Sequence, residues 1–207
     1  MPIPDLVTLL SKVAVVCVAL TLAAATAHGA HAAQDVVPNR VTAQCASCHG
    51  PTGDSPSGTV PRLNGQHRAY LIQRLKGFLD LTRQSPHARY VMWDVTADLT
   101  KERIESLAAY YAAQTPSRNA PEGPMAARGA LLFLHGAPGV PACQQCHGPQ
   151  GDGAATTPRI AGQHAAYLNQ ALIDFSTQAR VSATMNHPAL QLTEGQIKEL
   201  VAYLAKD

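Results

Sequence analysis

Several things are scarce in this 207-residue chain, and each scarcity closes a possibility. Charged residues make up only 14%, and the net charge is +2, so no basic stripe marks a nucleic-acid-binding surface. Aromatics are few at 5%, yet 46% of residues are apolar, enough for a packed core. Fifteen Gly and fifteen Pro make up roughly a seventh of the chain, below the ~25–30% that signals disorder. No stretch alternates polar and apolar residues as a half-buried strand would. The longest apolar run, Val13–Ala25, is shorter than the ~20 residues that span a bilayer. Cysteine is scarcest where it would matter for a staple. Of five, Cys17 lies in that apolar run and the other four stand in two short, nearly identical phrases. None is left over for a long-range disulfide or for a free thiolate.

The apolar run follows Lys12 and precedes two small-residue sites, Ala25-Thr26-Ala27 and Ala30-His31-Ala32. This arrangement predicts a cleaved secretory signal over residues 1–33, and hence an exported protein.

The two phrases are "TAQCASCHGPTGD" (residues 42–54) and "PACQQCHGPQGDG" (141–153). They belong to a longer repeat. Cys45, Cys48 and His49 match Cys143, Cys146 and His147 at an offset of 98. "PRLNGQHRAYL" matches "PRIAGQHAAYL" at 97, and "LTKERIESLAAYYA" matches "LTEGQIKELVAYLA" at 93. The chain is therefore two copies of one fold, residues 34–114 and 125–207, joined by a Pro-rich linker at 115–124. Units this small are marginal without a cofactor or staple.

Each copy reads as helical. Ile104, Leu107, Ala108 and Tyr111 recur at helical spacing, as do Ile197, Leu200, Val201 and Leu204. Thr100 and Thr193 are natural N-caps, and Thr193 with Gln196 spells a capping box. Further helices are expected over His67–Leu79, His164–Phe175 and Met125–His135.

Cys-x-x-Cys-His is the attachment pattern of c-type haem. Two thiols three residues apart add to the two vinyl groups, and the next histidine ligates the iron. The rivals fare worse. A four-cysteine zinc site usually separates its pairs by ~15–20 residues, a thioredoxin-like dithiol needs a βαβ setting, and two local disulfides leave the histidines unexplained. Two covalently bound haem c groups are the expectation. They would rest on Cys45 and Cys48 with His49 as iron ligand, and on Cys143 and Cys146 with His147.

With these motifs the chain resembles a dihaem cytochrome c of the cytochrome c4 type, two class I cytochrome c folds in tandem, all-α. "CASCHGPTGDSP", "PRLNGQHRAYL", "GVPACQQCHGPQGDG" and the two closing helices carry the likeness. The resemblance implies a periplasmic electron carrier between a dehydrogenase or respiratory complex and a terminal acceptor such as an oxidase. Its partners would be redox proteins, compatible with a peripheral place at the periplasmic membrane face, and not nucleic acid. A related alternative is the cytochrome subunit of a larger dehydrogenase, of the flavocytochrome c sulfide dehydrogenase type. A haem enzyme such as a peroxidase would need an open iron position or a thiolate ligand, and the cysteine count provides no thiolate.

The resemblance also directs attention to methionine as sixth ligand. Met92 and Met185 each stand seven residues before the Leu-Thr of the closing helix, although the preceding loop changes length by four. A thioether ligand raises the potential and suits a carrier. The repeat-matched His67 and His164 are the rival ligands, with His187 behind them. Pro61 and Pro158 would offer their carbonyls to the motif histidines, as the family does. Tyr70 and Tyr167 suit either propionate contact or packing. Residues 34–116 hold nine Lys or Arg against seven Asp or Glu, and residues 117–207 hold six of each. Within the first copy Arg68, Arg74, Lys76, Arg83 and Arg89 form either a solvated face or a docking surface for an acidic partner.

Overall fold

Both copies close with the same helix, and its start is written in the sequence. The computed structural model describes residues 39–206 except 83–85 and 87. The predicted signal, Arg83 and His87 lie outside the described residues. The first half contains α1 (Asn39–His49), α2 (Arg68–Leu79), α3 (Arg89–Thr96) and α4 (Lys101–Ala112). The second contains α5 (Gly123–His135), α6 (Gln144–His147), α7 (Ala165–Ser176), α8 (Asn186–Leu190) and α9 (Glu194–Leu204). Among the described residues there is no strand, only three isolated bridges.

Thr100 caps α4 by accepting from the Arg103 amide, and Thr193 caps α9 through the full capping box with Gln196. The helices predicted at His67 and His164 begin one residue later, because each histidine is the extended N-cap residue.

The buried faces meet as the periodicity requires. In the first half Leu107, Ala108 and Tyr111 of α4 pack on Leu71 of α2. In the second, Leu200 and Leu204 of α9 join Leu132, Phe133, Val140 and Leu168. α5 and α9 cross so closely that a Cβ at Gly129 would collide with the Glu199 carbonyl. Only glycine permits that approach. Cys45 and Cys143 each pack against the cluster of their own half.

Residues 39–207 make one compact unit, and the two halves meet across a pseudo-twofold seam. The seam is built from the repeated Gly-Gln-His. Nε2–H of His67 donates to the Asp152 carbonyl (2.7 Å), and that of His164 donates to the Ser55 carbonyl (2.9 Å). The buried carboxamides of Gln66 and Gln163 reach the backbones of Arg159 and Arg62. Arg62 Nη1 adds a bond to the Gly162 carbonyl (2.9 Å).

The segment after α4 is clamped into this seam instead of tethering loosely. Asn64 Nδ2 donates to the Thr115 carbonyl (2.8 Å), Arg159 Nη2 to the Ser117 carbonyl (3.2 Å) and Asn119 Nδ2 to the Tyr203 carbonyl (2.9 Å). Gly162, at φ +74°, lies so close beneath Ser117 that a Cβ would collide with its carbonyl.

Candidate haem sites

Each attachment motif sits at the C-terminal end of a helix. In the first half α1 runs straight through Cys45 and Cys48 to His49. In the second, α5 stops at His135, a loop closed by the Ala137–Val140 bridge follows, and only then does the one-turn α6 carry Cys146 and His147. The His147 amide donates to the Cys143 carbonyl (3.0 Å), which holds the second motif in a helical turn too. Residues three apart on a helix share a face, so the two thiols of each pair serve one side. All four thiols are free; Cys45 and Cys143 are half-buried, Cys48 and Cys146 exposed. Burial pushes the Cys45 and Cys143 thiols up.

His49 and His147 are the buried members of the motifs, 8% and 7% exposed. Burial lowers the pKa of both, partly opposed by a hydrogen bond from the ring to a carbonyl. That bond is the one the resemblance implied: Nδ1 of His49 lies 2.9 Å from the Pro61 carbonyl, and Nδ1 of His147 lies 3.0 Å from that of Pro158. A carbonyl only accepts, so Nδ1 carries the proton and Nε2 keeps its lone pair. Both imidazoles are thus in the tautomer that offers Nε2 to a metal.

This donor set fits covalent haem and does not fit a bare metal. Among the described residues no three His, Cys, Asp or Glu side chains converge to hold an ion. What is present, twice, is an unpaired thiol pair on one helical face beside a buried imidazole with a free Nε2. When bound, each haem supplies a one-electron ferric–ferrous couple.

Met92 lies within α3, half-buried, and Met185 is the half-buried N-cap residue of α8. α3 packs on α2, and α8 on α7. Each methionine thus belongs to the short helix that packs on the Gly-Gln-His helix of its own half, within it in the first and at its start in the second. His67 and His164 spend Nε2–H across the seam, which removes that nitrogen from any ligand role. His187 is exposed.

Tyr70 and Tyr167 turn out to surround Arg180. Its buried guanidinium donates to the Tyr70 hydroxyl (3.3 Å), is drawn to both phenols and lies 4.4 Å from the Phe175 ring centroid. Arg68 is within 3.7 Å of Glu105, Arg74 is half-buried against the Tyr70 ring and Arg89 lies over Tyr90. Exposed apolar side chains adjoin Met92 in sequence: Tyr90, Val91 and Trp93.

The Cytochrome c family model matches residues 126–206. Cytochrome c-552 of Acidithiobacillus ferridurans is 38% identical over 193 residues, covering 90% of this chain and 84% of that protein. The chain belongs to the dihaem cytochromes c of the cytochrome c4 type. A cytochrome c4 structure from Acidithiobacillus ferrooxidans superposes with a TM-score of 0.73 at 38% identity, covering 78% of this chain and 98% of that one. The "thiosulfate dehydrogenase electron acceptor" of Thiomonas intermedia is 34% identical over 173 residues, 79% of this chain and 78% of that protein. The molecule is accordingly an electron-transfer protein with two class I cytochrome c domains and two covalently bound haem c groups, not an enzyme. Among the described residues no helix is long and apolar enough to cross a membrane.

The repeat suggests a pseudo-twofold pairing of the copies, but not which residues build the seam. Gly-Gln-His repeated unchanged at a helix start was the available signal, a buried polar pair with no local reason to recur.

Proposed function

We propose that this chain is an exported, periplasmic carrier. It passes single electrons from a dehydrogenase or respiratory complex to a terminal acceptor such as an oxidase, with residues 1–33 removed as a signal. His49 with Met92 and His147 with Met185 would hold the two haem irons, within domains 34–114 and 125–207 joined at 115–124. The observation that carries the reading is the tautomer of the two motif histidines: each is buried, and its Nδ1–H is spent on a proline carbonyl. That arrangement fixes the orientation of an imidazole that would hold the iron at each site, and two protein ligands per iron would favour electron transfer over substrate chemistry.

A second reading has its own support. The likeness to a thiosulfate dehydrogenase electron acceptor favours a sulfur-compound dehydrogenase as the donor, with this chain as its dedicated acceptor or subunit. Mixing the oxidised holoprotein with such a dehydrogenase and thiosulfate separates the two. Rapid reduction supports the dedicated acceptor, and inertness leaves the general carrier.

The ligand assignment has a direct test. Met92→Ala or Met185→Ala should abolish the methionine-to-ferric-iron charge-transfer band of one haem and lower its potential. Loss of the band in His67→Ala or His164→Ala instead would reject the assignment.

A further inference from the structure

The carbonyl that each motif histidine uses belongs to a peptide group whose other end is held by the opposite half of the molecule. Pro61 C=O and Arg62 N–H are one peptide unit. Its oxygen accepts from His49 Nδ1 (2.9 Å), and its N–H donates to Oε1 of Gln163 (2.8 Å). The second half mirrors this. The Pro158 oxygen accepts from His147 Nδ1 (3.0 Å), and the Arg159 N–H donates to Oε1 of Gln66 (2.9 Å). Each carboxamide also returns a bond through Nε2, Gln163 to the Arg62 carbonyl (3.1 Å) and Gln66 to the Arg159 carbonyl (2.9 Å). Only one orientation of each amide lets Oε1 meet an N–H and Nε2 meet a carbonyl. Both glutamines are buried, 6% and 7% exposed, so water does not compete for these bonds.

We propose that Gln163 and Gln66 are positioning residues that tune the two haems crosswise. Gln163 of the second half acts on His49 through the Pro61–Arg62 peptide, and Gln66 of the first half acts on His147 through the Pro158–Arg159 peptide. The inference rests on the reading of His49 and His147 as iron ligands.

The direction follows from peptide electronics. A hydrogen bond accepted from the N–H by a glutamine oxygen polarises the peptide and makes its carbonyl oxygen more negative. Hydrogen bonds in series strengthen one another by perhaps 10–30% each. A stronger acceptor draws the Nδ1 proton away from the ring and makes the imidazole a more basic ligand. A more basic ligand favours the ferric state and lowers the potential. Each half therefore holds the other's potential down, and the effect lasts only while the seam is closed.

The test is a redox titration of the dihaem holoprotein followed by NMR. Each haem is assigned by nuclear Overhauser contacts to its own Cys-x-x-Cys segment. Gln163→Met, apolar and similar in size, should raise the potential of the first haem by about threefold in the ferric–ferrous equilibrium. That is about 28 mV at 59 mV per tenfold for one electron. The second haem should move far less. Gln66→Met should show the converse. Gln163→Glu keeps the acceptor oxygen, should move the first haem the other way, and serves if the apolar variant does not assemble. A shift confined to the haem of the mutated half, equal shifts at both haems, or no shift would overturn the relay. The wild-type ferric protein separates this from failure of the ligand reading. Without hyperfine-shifted imidazole signals from His49 and His147, the ligand reading falls and takes the relay with it. With those signals present but no crossed shift, the relay alone falls.

Discussion

The two halves share a site and a seam but not a way of packing. In the second half the thirteen-residue α5 lies on α9 through Gly129 and buries Phe133 completely. In the first half α1 is consumed by the attachment motif, and the described core gathers Leu71, Leu107, Ala108 and Tyr111 around α2 and α4. Residues 136–142 separate α5 from the second motif, so α5 serves packing alone, whereas α1 itself presents both thiols and the histidine of the first motif. The haem phrases and Gly-Gln-His are constrained by chemistry and by mutual pairing, so they stay alike. The surrounding packing answers only to volume and has diverged.

Matched substitutions probe that difference. Leu200 and Leu107 are repeat counterparts, 2% and 3% exposed. Truncating a buried leucine to alanine costs ~2–5 kcal/mol, more where neighbours cannot relax into the cavity. Leu200→Ala, bounded by Leu132, Phe133 and Leu204, should fall at the upper end of that range and Leu107→Ala at the lower. Denaturant unfolding of the holoprotein measures both, and equal costs would show that the halves are packed alike.

A smaller contrast lies at the helix starts. Gln196 completes the capping box of α9, its Oε1 accepting from the Thr193 amide at 2.9 Å. Its counterpart Arg103 contributes only its backbone amide to the Thr100 cap. Gln196→Ala should therefore cost about 0.5–1 kcal/mol, whereas Arg103→Ala should stay within about 0.5 kcal/mol of wild type. Thermal melts distinguish them, and equal shifts would place the cap's strength elsewhere.

The smallest effect is electrostatic. Burial, the largest single influence, raises the Asp54 pKa, but Arg62 Nε at 2.7 Å, the Ser117 hydroxyl at 3.2 Å and the Lys206 charge together outweigh it and hold the pKa below the ordinary value. A carboxylate depressed in the folded state contributes stability above its unfolded pKa of ~3.9 and loses it as pH falls further. Asp54 is half exposed, so Asp54→Asn should cost less than about 1 kcal/mol at pH 7, and the cost should fade as pH drops through the folded-state pKa. A cost that persisted in acid would mean that packing, not charge, is what the side chain supplies.

Much of the site could be read along the chain because its chemistry is local. Two thiols and an imidazole must fall within five residues to serve one haem, so Cys45–His49 and Cys143–His147 announce themselves. The caps at Thr100 and Thr193 are local for the same reason, a side chain reaching an amide three residues on. Met92 and Met185 stand out as candidates only through the repeat and the resemblance together, since a single methionine carries no positional signal.

What no local pattern could express is which residue of one copy meets which residue of the other. Gln66 and Gln163 read as polar residues at helix starts, and Thr115–Pro124 reads as a short Pro-rich linker that limits how far the halves can separate. Tertiary structure turns the first into buried brackets on the opposite backbone and the second into a strap held by Asn64, Arg159 and Asn119. The reason is physical. Covalent attachment, helical periodicity and capping act over a few residues and leave their mark as spacing. Hydrogen bonds between residues some hundred positions apart depend only on where the folded surfaces meet.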